Sequence, residues 1–261
     1  MSPLLTAASC LAERIKVNTM RRETRDGRPF WIKRRRRSAL FTLACANQFF
    51  RLADNPVRAL ASPPEWQRWE VKCFHRLHGD EFRAFAAGTH GVAAEELPGT
   101  PLALHLDRHT LTPPMVAAAA RELRRAHEMT CPELPGGWTH GDPHTGNFLH
   151  DDDTGRARLI DFEVMHDPAV PAAERRADDL LVFLQDLVGR ATREQWLPLA
   201  SAFLEGYDDD ETIARLLPRL ILPRGIPRLW WAVRTSYLPG AELAHRLELL
   251  RETAASPVTA A

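Results

Sequence analysis

The chain has 261 residues, 34 Lys and Arg balanced by 34 Asp and Glu, 44% hydrophobic and 26% charged residues, the profile of a soluble globular protein with one large domain or two small lobes. No apolar run approaches the roughly 18 residues of a membrane span, and residues 1–10 lack the basic-then-apolar pattern of a secretory leader. Cys10, Cys45, Cys73 and Cys131 are scattered without a CxxC spacing, which argues against a disulfide framework or a zinc site and for reduced thiols in a cytosol.

The neutral total hides an asymmetry. Residues 1–80 hold 16 Lys/Arg and 7 Asp/Glu, an excess of nine, so the remainder carries minus nine. A basic front portion suits nucleotide phosphates, an anionic acceptor or a membrane surface, and equally a solvated face that binds nothing.

In chain order, residues 13–36 read as strands. Ile15-Lys16-Val17 begins one, Pro29-Phe30-Trp31-Ile32-Lys33 forms another, and Asp26-Gly27 between them is a tight-turn signal. Residues 38–52 are apolar and helix-compatible, ended by Asn55-Pro56 and Ser62-Pro63-Pro64. Residues 65–78 place Trp66, Trp69, Cys73, Phe74 and Leu77 at helical spacings. A strand runs from Gly91 into a linker near residue 97, and a helix spans about 112–129 behind Thr112 and Pro113. A strand at 158–162 and helices at 177–188, 192–207 and 241–252 follow. Prolines 218, 223, 227 and 239 break the intervening segment, and 254–261 is a frayed tail. The region 216–237 reads as core more readily than as a substrate wall. The expected fold class is α+β, with a strand-rich part at 1–97 and a helix-rich part at 98–261.

The chemistry concentrates in Thr139-His140-Gly141-Asp142-Pro143-His144-Thr145-Gly146-Asn147-Phe148-Leu149 and in Leu159-Ile160-Asp161-Phe162-Glu163. Asp142 and Asn147 are five residues apart, and Asp161 follows at the end of an apolar run. Phosphoryl transfer needs a carboxylate to orient and deprotonate a hydroxyl, and an amide oxygen plus a second carboxylate to hold magnesium on the nucleotide phosphates. A rival reading takes His140, Asp142 and His144 as three ligands on one face of a strand, the donor set of a zinc hydrolase. Pro143 and Gly146 favour a loop instead, and that reading leaves Asn147 and Asp161 without a role.

These motifs resemble the catalytic loop and metal-binding strand end of the protein-kinase-like superfamily. The resemblance is to its small bacterial branches: aminoglycoside/choline phosphotransferases, RIO-type kinases and lipopolysaccharide-core (Kdo/heptose) sugar kinases. It implies a two-lobed kinase-like fold, ATP and Mg²⁺ as cofactors, and a kinase acting on a hydroxyl. Residue by residue, Asp142 is implied as catalytic base and Asn147 and Asp161 as metal ligands. Lys33, unless it is one solvated charge of the run 33–37, is implied as the phosphate-pairing lysine, and Glu70, ahead of Glu65, as the glutamate that orients it. Glu95 to Leu97 form the hinge whose backbone receives the base, and Asp179, or nearly as well Asp178, braces the catalytic loop. His140 supports the loop; His144 either contacts the transferred phosphoryl group or packs the loop.

The chain departs from regulated protein kinases at several points. Residues 1–26 contain no glycine, so no glycine-rich loop precedes Lys33. Gly141 precedes Asp142 where those kinases have arginine, Glu163 replaces the glycine after Asp-Phe, and no Ala-Pro-Glu element follows. These differences point away from protein substrates. The basic run Lys33 to Arg37, loosely similar to a segment of Kdo-type kinases, points to a glycan or glycolipid acceptor and to a protein peripheral to the inner membrane, in contact with an anionic surface. No nucleic-acid recognition motif is visible. The other readings are an atypical Ser/Thr kinase and a pseudokinase-type binding protein.

Overall fold

The computed structural model describes residues 17–36, 39–235 and 238–255. Strands β1 (Asn18–Arg25) and β2 (Arg28–Arg35) form an antiparallel hairpin with Arg25 opposite Arg28. Asp26 and Gly27 both have positive φ, 50° and 75°, the geometry of the two-residue turn whose twist matches paired strands. Ile15 and Lys16 of the expected first strand lie outside the described residues. The pleat of β2 sends Phe30 and Ile32 to one face, where they pack with Ala93, and Trp31, Lys33 and Arg35 to the other.

Helix α1 (Ala39–Leu52) and strand β3 (Val57–Ala59) come before helix α2 (Pro63–His78). Asn47 clamps β3 to α1: its amide donates to the Ala59 carbonyl at 3.0 Å and its oxygen accepts the Ala59 N–H at 2.7 Å. Helix α2 begins two residues earlier than expected because Pro63 and Pro64 occupy the first turn, where an N–H has no intrahelical acceptor. Trp66, Trp69, Glu70, Cys73, Phe74 and Leu77 form its buried face. Strands β4 (Ala84–Ala86) and β5 (Gly91–Glu95) complete an antiparallel sheet in the order β1-β2-β5-β4.

After β6 (Thr100–Pro101) the chain is mainly helical: α3 (Leu102–Asp107), α4 (Pro113–His127), α5 (Ala172–Arg190), α6 (Trp196–Tyr207), α7 (Asp210–Leu216), α8 (Ile226–Thr235) and α9 (Gly240–Ala255). Strands β7 (Phe148–Asp151) and β8 (Arg156–Leu159) form a hairpin beside β6, and β9 (Val164–His166) pairs back onto β3. The α+β class is therefore as expected. Its main core lies among α4, α5 and α6, where the Phe183 and Phe203 rings stack at 3.9 Å. A Cβ on Gly206 would sit 2.8 Å from the Ala117 Cα, so α6 touches α4 backbone to backbone.

Several boundaries differ from the sequence reading. The strand expected to reach 162 ends at Leu159, because Asp161 adopts φ 70° and leaves the extended region. Helix α8 carries Pro227 in its first turn, where proline does not break a helix. Leu216, Leu220 and Trp231 of this segment are buried in the core, whereas Ile221 and Ile226 are exposed; Tyr237 lies outside the described residues. Residues 254 and 255 extend α9 rather than fraying, and 256–261 are not described.

Candidate active site

The loop 139–147 is held from below by Asp179. This fully buried carboxylate accepts the His140 and Gly141 N–H groups, each at 2.7 Å, and pairs with His127 Nε2 at 2.9 Å. Burial works to raise its pKa, but His166, the His127 hydrogen bond and His140 outweigh it and leave the carboxyl below its usual range. Asp178 instead faces His166 at 3.2 Å and Arg219 at 3.7 Å. Gly141 has φ 85°, and a Cβ there would meet Val164 Cγ2 at 3.0 Å and Val57 Cγ1 at 3.3 Å. The β3–β9 pair thus packs against the loop at the position where regulated protein kinases carry arginine, and leaves a side chain no ordinary room there.

The zinc reading fails on hydrogen bonding. His140 Nε2 donates to the Ile160 carbonyl at 3.0 Å while Nδ1 accepts the Asp142 N–H at 3.3 Å, so neither nitrogen is left for a metal. Burial holds this imidazole below its usual pKa, in the neutral form those bonds require. His144 Nδ1 accepts the Gly146 N–H at 3.0 Å. Among the described residues no three His, Cys, Asp or Glu side chains converge as a ligand set of that kind.

The β7–β8 hairpin closes the gap from Asn147 to Asp161. Phe148 pairs with Leu159, and the Ile160 N–H bonds the Asn147 carbonyl at 3.0 Å. Asn147 is 5% exposed, and its side-chain N–H₂ donates to the Asp142 carbonyl at 2.9 Å. That bond fixes the amide and turns its oxygen the other way, as a cation ligand requires. The left-handed backbone of Asp161 directs its carboxylate to Lys33.

Lys33 is the hub. Its Nζ lies 3.1 Å from Glu70 Oε1 and 2.7 Å from Glu163 Oε1, and it also bonds Asp161. Glu70 is steadied by the Trp66 indole N–H at 3.1 Å. Burial opposes the charge on Lys33, but the three carboxylates outweigh it and its pKa lies well above the usual value. Burial raises the Glu70 pKa, with Lys33 opposing, and pushes Glu163 up to about 7 with help from Asp161. For Asp161 burial is overcome by Lys33, and the carboxyl stays below its usual range. Arg35, stacked 4.3 Å from the Trp66 ring, adds a second cation 4.0 Å from Glu163. Two cations thus face three carboxyls, of which burial pushes Glu163 toward its neutral form, and the partly exposed Asp161 is the carboxylate open to the cleft, where a divalent cation could bind.

These groups open on a cleft of about 710 Å³, within the range of small-molecule sites. Trp31, Val92 and Leu97 line one part of it, and Leu149 and Ile160 another. The volume, the apolar walls and the charged end fit a magnesium-bound nucleotide. At the hinge, Glu95 places its carboxylate on Arg28 at 3.0 Å and on the Arg83 N–H at 3.1 Å, which makes that side chain a strut. The Glu96 N–H is committed to the Pro29 carbonyl at 2.9 Å. Leu97 is 6% exposed and faces the cleft.

The structure brings Lys33, Glu70 and Asp161 together at the cleft, while Asn147 is bonded to the Asp142 backbone and neither Asn147 nor Asp142 lines the cleft. Glu163, Arg35 and Asn18, whose amide donates to the Glu163 carboxylate, were missed as members of this cluster, although Arg35 shares the pleat face of Lys33 by its i, i+2 spacing. The basic run Lys33 to Arg37 does not form a surface patch of five. Lys33 and Arg35 are internal, Arg34 and Arg36 are exposed, and Arg37 lies outside the described residues.

Residues 25–166, more than half the chain, match the model of the phosphotransferase enzyme family. No curated protein matches the sequence. Among solved structures, the chain is similar to a Plasmodium vivax ethanolamine kinase, at 11% identity over 97% of this chain and 86% of that one, with a TM-score of 0.48. It is also similar to Mycobacterium tuberculosis Rv3197 in its erythromycin complex, at 17% identity over 90% of this chain and 71% of that one, with a TM-score of 0.44. A third likeness is to vaccinia related kinase 3, at 13% identity over 97% of both chains, with a TM-score of 0.38. At these scores the likenesses are loose, and the assignment rests on the matched stretch with its Asp142, Asn147 and Asp161 motifs. The chain belongs to the phosphotransferase enzyme family, within the protein-kinase-like superfamily, and is a kinase-type enzyme.

Proposed function

We propose that this enzyme is an ATP- and Mg²⁺-dependent kinase that phosphorylates a hydroxyl of a sugar or lipopolysaccharide-type acceptor. The observation that carries this reading is the buried Lys33–Glu70 pair meeting Asp161 at the charged end of an apolar cleft. In this reading residues 1–97 and 98–261 are the two lobes, and the cleft draws its lining from both. Asn147 and Asp161 hold the metal, which when bound neutralises charge on the transferred phosphoryl group. Lys33, fixed by Glu70, positions the phosphates, and Leu97 with the hinge backbone receives the base. Asp142 accepts the acceptor hydroxyl's proton, on a loop whose backbone Asp179 and Asn147 hold rigid.

A small or glycan acceptor is supported over a protein by the short segment 167–176, which has no Ala-Pro-Glu element. No helix among the described residues is long and apolar enough to cross a membrane. Peripheral contact with an anionic surface is supported by α1 rather than by the basic run alone. Leu40, Phe41 and Leu52 of α1 are 50%, 78% and 66% exposed. Residues 28–53 contain no Asp or Glu and seven Lys or Arg, and Arg34, Arg36 and Arg51 are exposed. An apolar helix face flanked by cations suits an anionic interface.

The test is magnesium-dependent ATP turnover over a panel of sugar, lipid A-core and protein acceptors. Asp142→Asn is expected to cut kcat by about 10² or more, as loss of a general base does, while ATP affinity stays nearly intact. An unchanged rate would remove Asp142 from that role.

A further inference from the structure

Tyr207 ends α6, far in sequence from the catalytic loop, yet a continuous chain of buried hydrogen bonds joins them. The Tyr207 hydroxyl lies 2.8 Å from His127 Nδ1, and His127 Nε2 lies 2.9 Å from Asp179 Oδ2. Asp179 in turn accepts the N–H groups of His140 and Gly141, the two residues before Asp142. Tyr207, His127 and Asp179 are 1%, 1% and 0% exposed. We propose that Tyr207 is a positioning residue for phosphoryl transfer, acting through His127 and Asp179 on the backbone of the Asp142 loop.

The direction of every bond follows from chemistry. An ionised Asp179 only accepts, so His127 must carry its proton on Nε2. Burial keeps this imidazole neutral, which makes Nδ1 an acceptor. Tyr207 must then donate, and burial keeps its phenol protonated. The hydroxyl therefore selects one tautomer and one ring orientation of His127, and that orientation aims Asp179 at the loop. The packing places Tyr207 for this task. Gly206 lets α6 approach Ala117 of α4, where a Cβ would fall 2.8 Å from the Ala117 Cα. Arg124 of α4 also donates to the Tyr207 carbonyl at 3.1 Å.

The inference rests on the reading of Asp142's loop as catalytic, and two independent readouts separate the two ideas. The first is hydrogen exchange at the His140 and Gly141 amides, which needs no substrate. The second is ADP release from magnesium-ATP with water as acceptor. In Tyr207→Phe and His127→Leu, exchange at 140–141 is expected to accelerate about tenfold or more while β2 amides stay protected. Turnover should fall about 10- to 100-fold, the range that loop misplacement produces, with KM for ATP within about twofold. His127→Gln, whose amide can donate to Asp179 and accept from Tyr207, should restore both. Unchanged exchange at 140–141 in Tyr207→Phe overturns the inference, as does a His127→Gln variant as impaired as His127→Leu. Faster exchange everywhere together with a raised KM does so too, since that marks a merely structural role. A wild-type protein that turns over no ATP contradicts the proposed function, and the exchange result still decides the relay.

Discussion

Lys33 has more carboxylate neighbours than one ammonium can neutralise, and this excess is the main electrostatic fact of the site. Glu70 and Glu163 lie within 3.1 Å of its Nζ, with Asp161 also in contact. Glu163, in place of the glycine that regulated protein kinases carry after Asp-Phe, adds the third carboxyl, whose pKa burial pushes up to about 7, and Arg35 is the buried cation beside it. Burying such a cluster is costly unless partners compensate, which supports a site completed by a cation. Buried histidines add acid sensitivity, and His78 is one of them along with His127 and His140. His78 bonds the Leu159 carbonyl at 2.9 Å from under the β8 strand, and burial lowers its pKa to about 4 against an ordinary 6.5. A depressed histidine pKa means that the folded state resists protonation. Its contribution is therefore fully present above pH 6.5 and is lost as pH falls from 6.5 toward 4. We expect the melting temperature of the wild type to drop across that window and that of His78→Gln to drop less. Parallel melting curves for the two proteins would remove His78 from this role.

At the scale of elements, the residues with strong local signals were read directly from the sequence. Asp26-Gly27 requires two positive φ values and yields a hairpin, and the spacing of Trp66 to Leu77 specifies a helix face with Glu70 on it. Of the hairpin between Asn147 and Asp161 the sequence reading gave only the second strand, and carried it past its end at Leu159 to residue 162. By contrast, β3 and β9 are three residues each and pair across more than a hundred positions, so no local periodicity marks them. They decide why residue 141 must be glycine. Helix α1 was legible as apolar, but its exposed face was not, since burial depends on which neighbours the fold supplies. If that face meets an anionic interface, Phe41→Glu should reduce co-sedimentation with phosphatidylglycerol vesicles by roughly tenfold, the order expected for replacing a buried apolar contact with a charge, and leave turnover of soluble substrates unchanged. Equal sedimentation of both proteins would refute the contact.

For the whole molecule, a strand-rich front part and a helical rear part supply the site from both ends of the sequence. Lys33 and Glu70 come from the front, Asp142, Asn147 and Asp161 from the rear, and Lys33 links the two through Asp161. Spacing singled out Asp142, Asn147 and Asp161, because phosphoryl transfer restricts the chemistry, and the family resemblance pointed to Lys33 and Glu70. The surrounding support was not announced. Glu163, Arg35 and the Tyr207–His127–Asp179 chain depend on packing between segments 50 to 130 residues apart, and composition says nothing of that. Binding of a metal-bound nucleotide by Lys33 and Asp161 together is read from ATP affinity measured with and without magnesium. For the wild type, affinity should fall about tenfold or more when magnesium is removed; for Asp161→Ala it should be weak and indifferent to the metal. Tight ATP binding in both proteins, independent of magnesium, would contradict it.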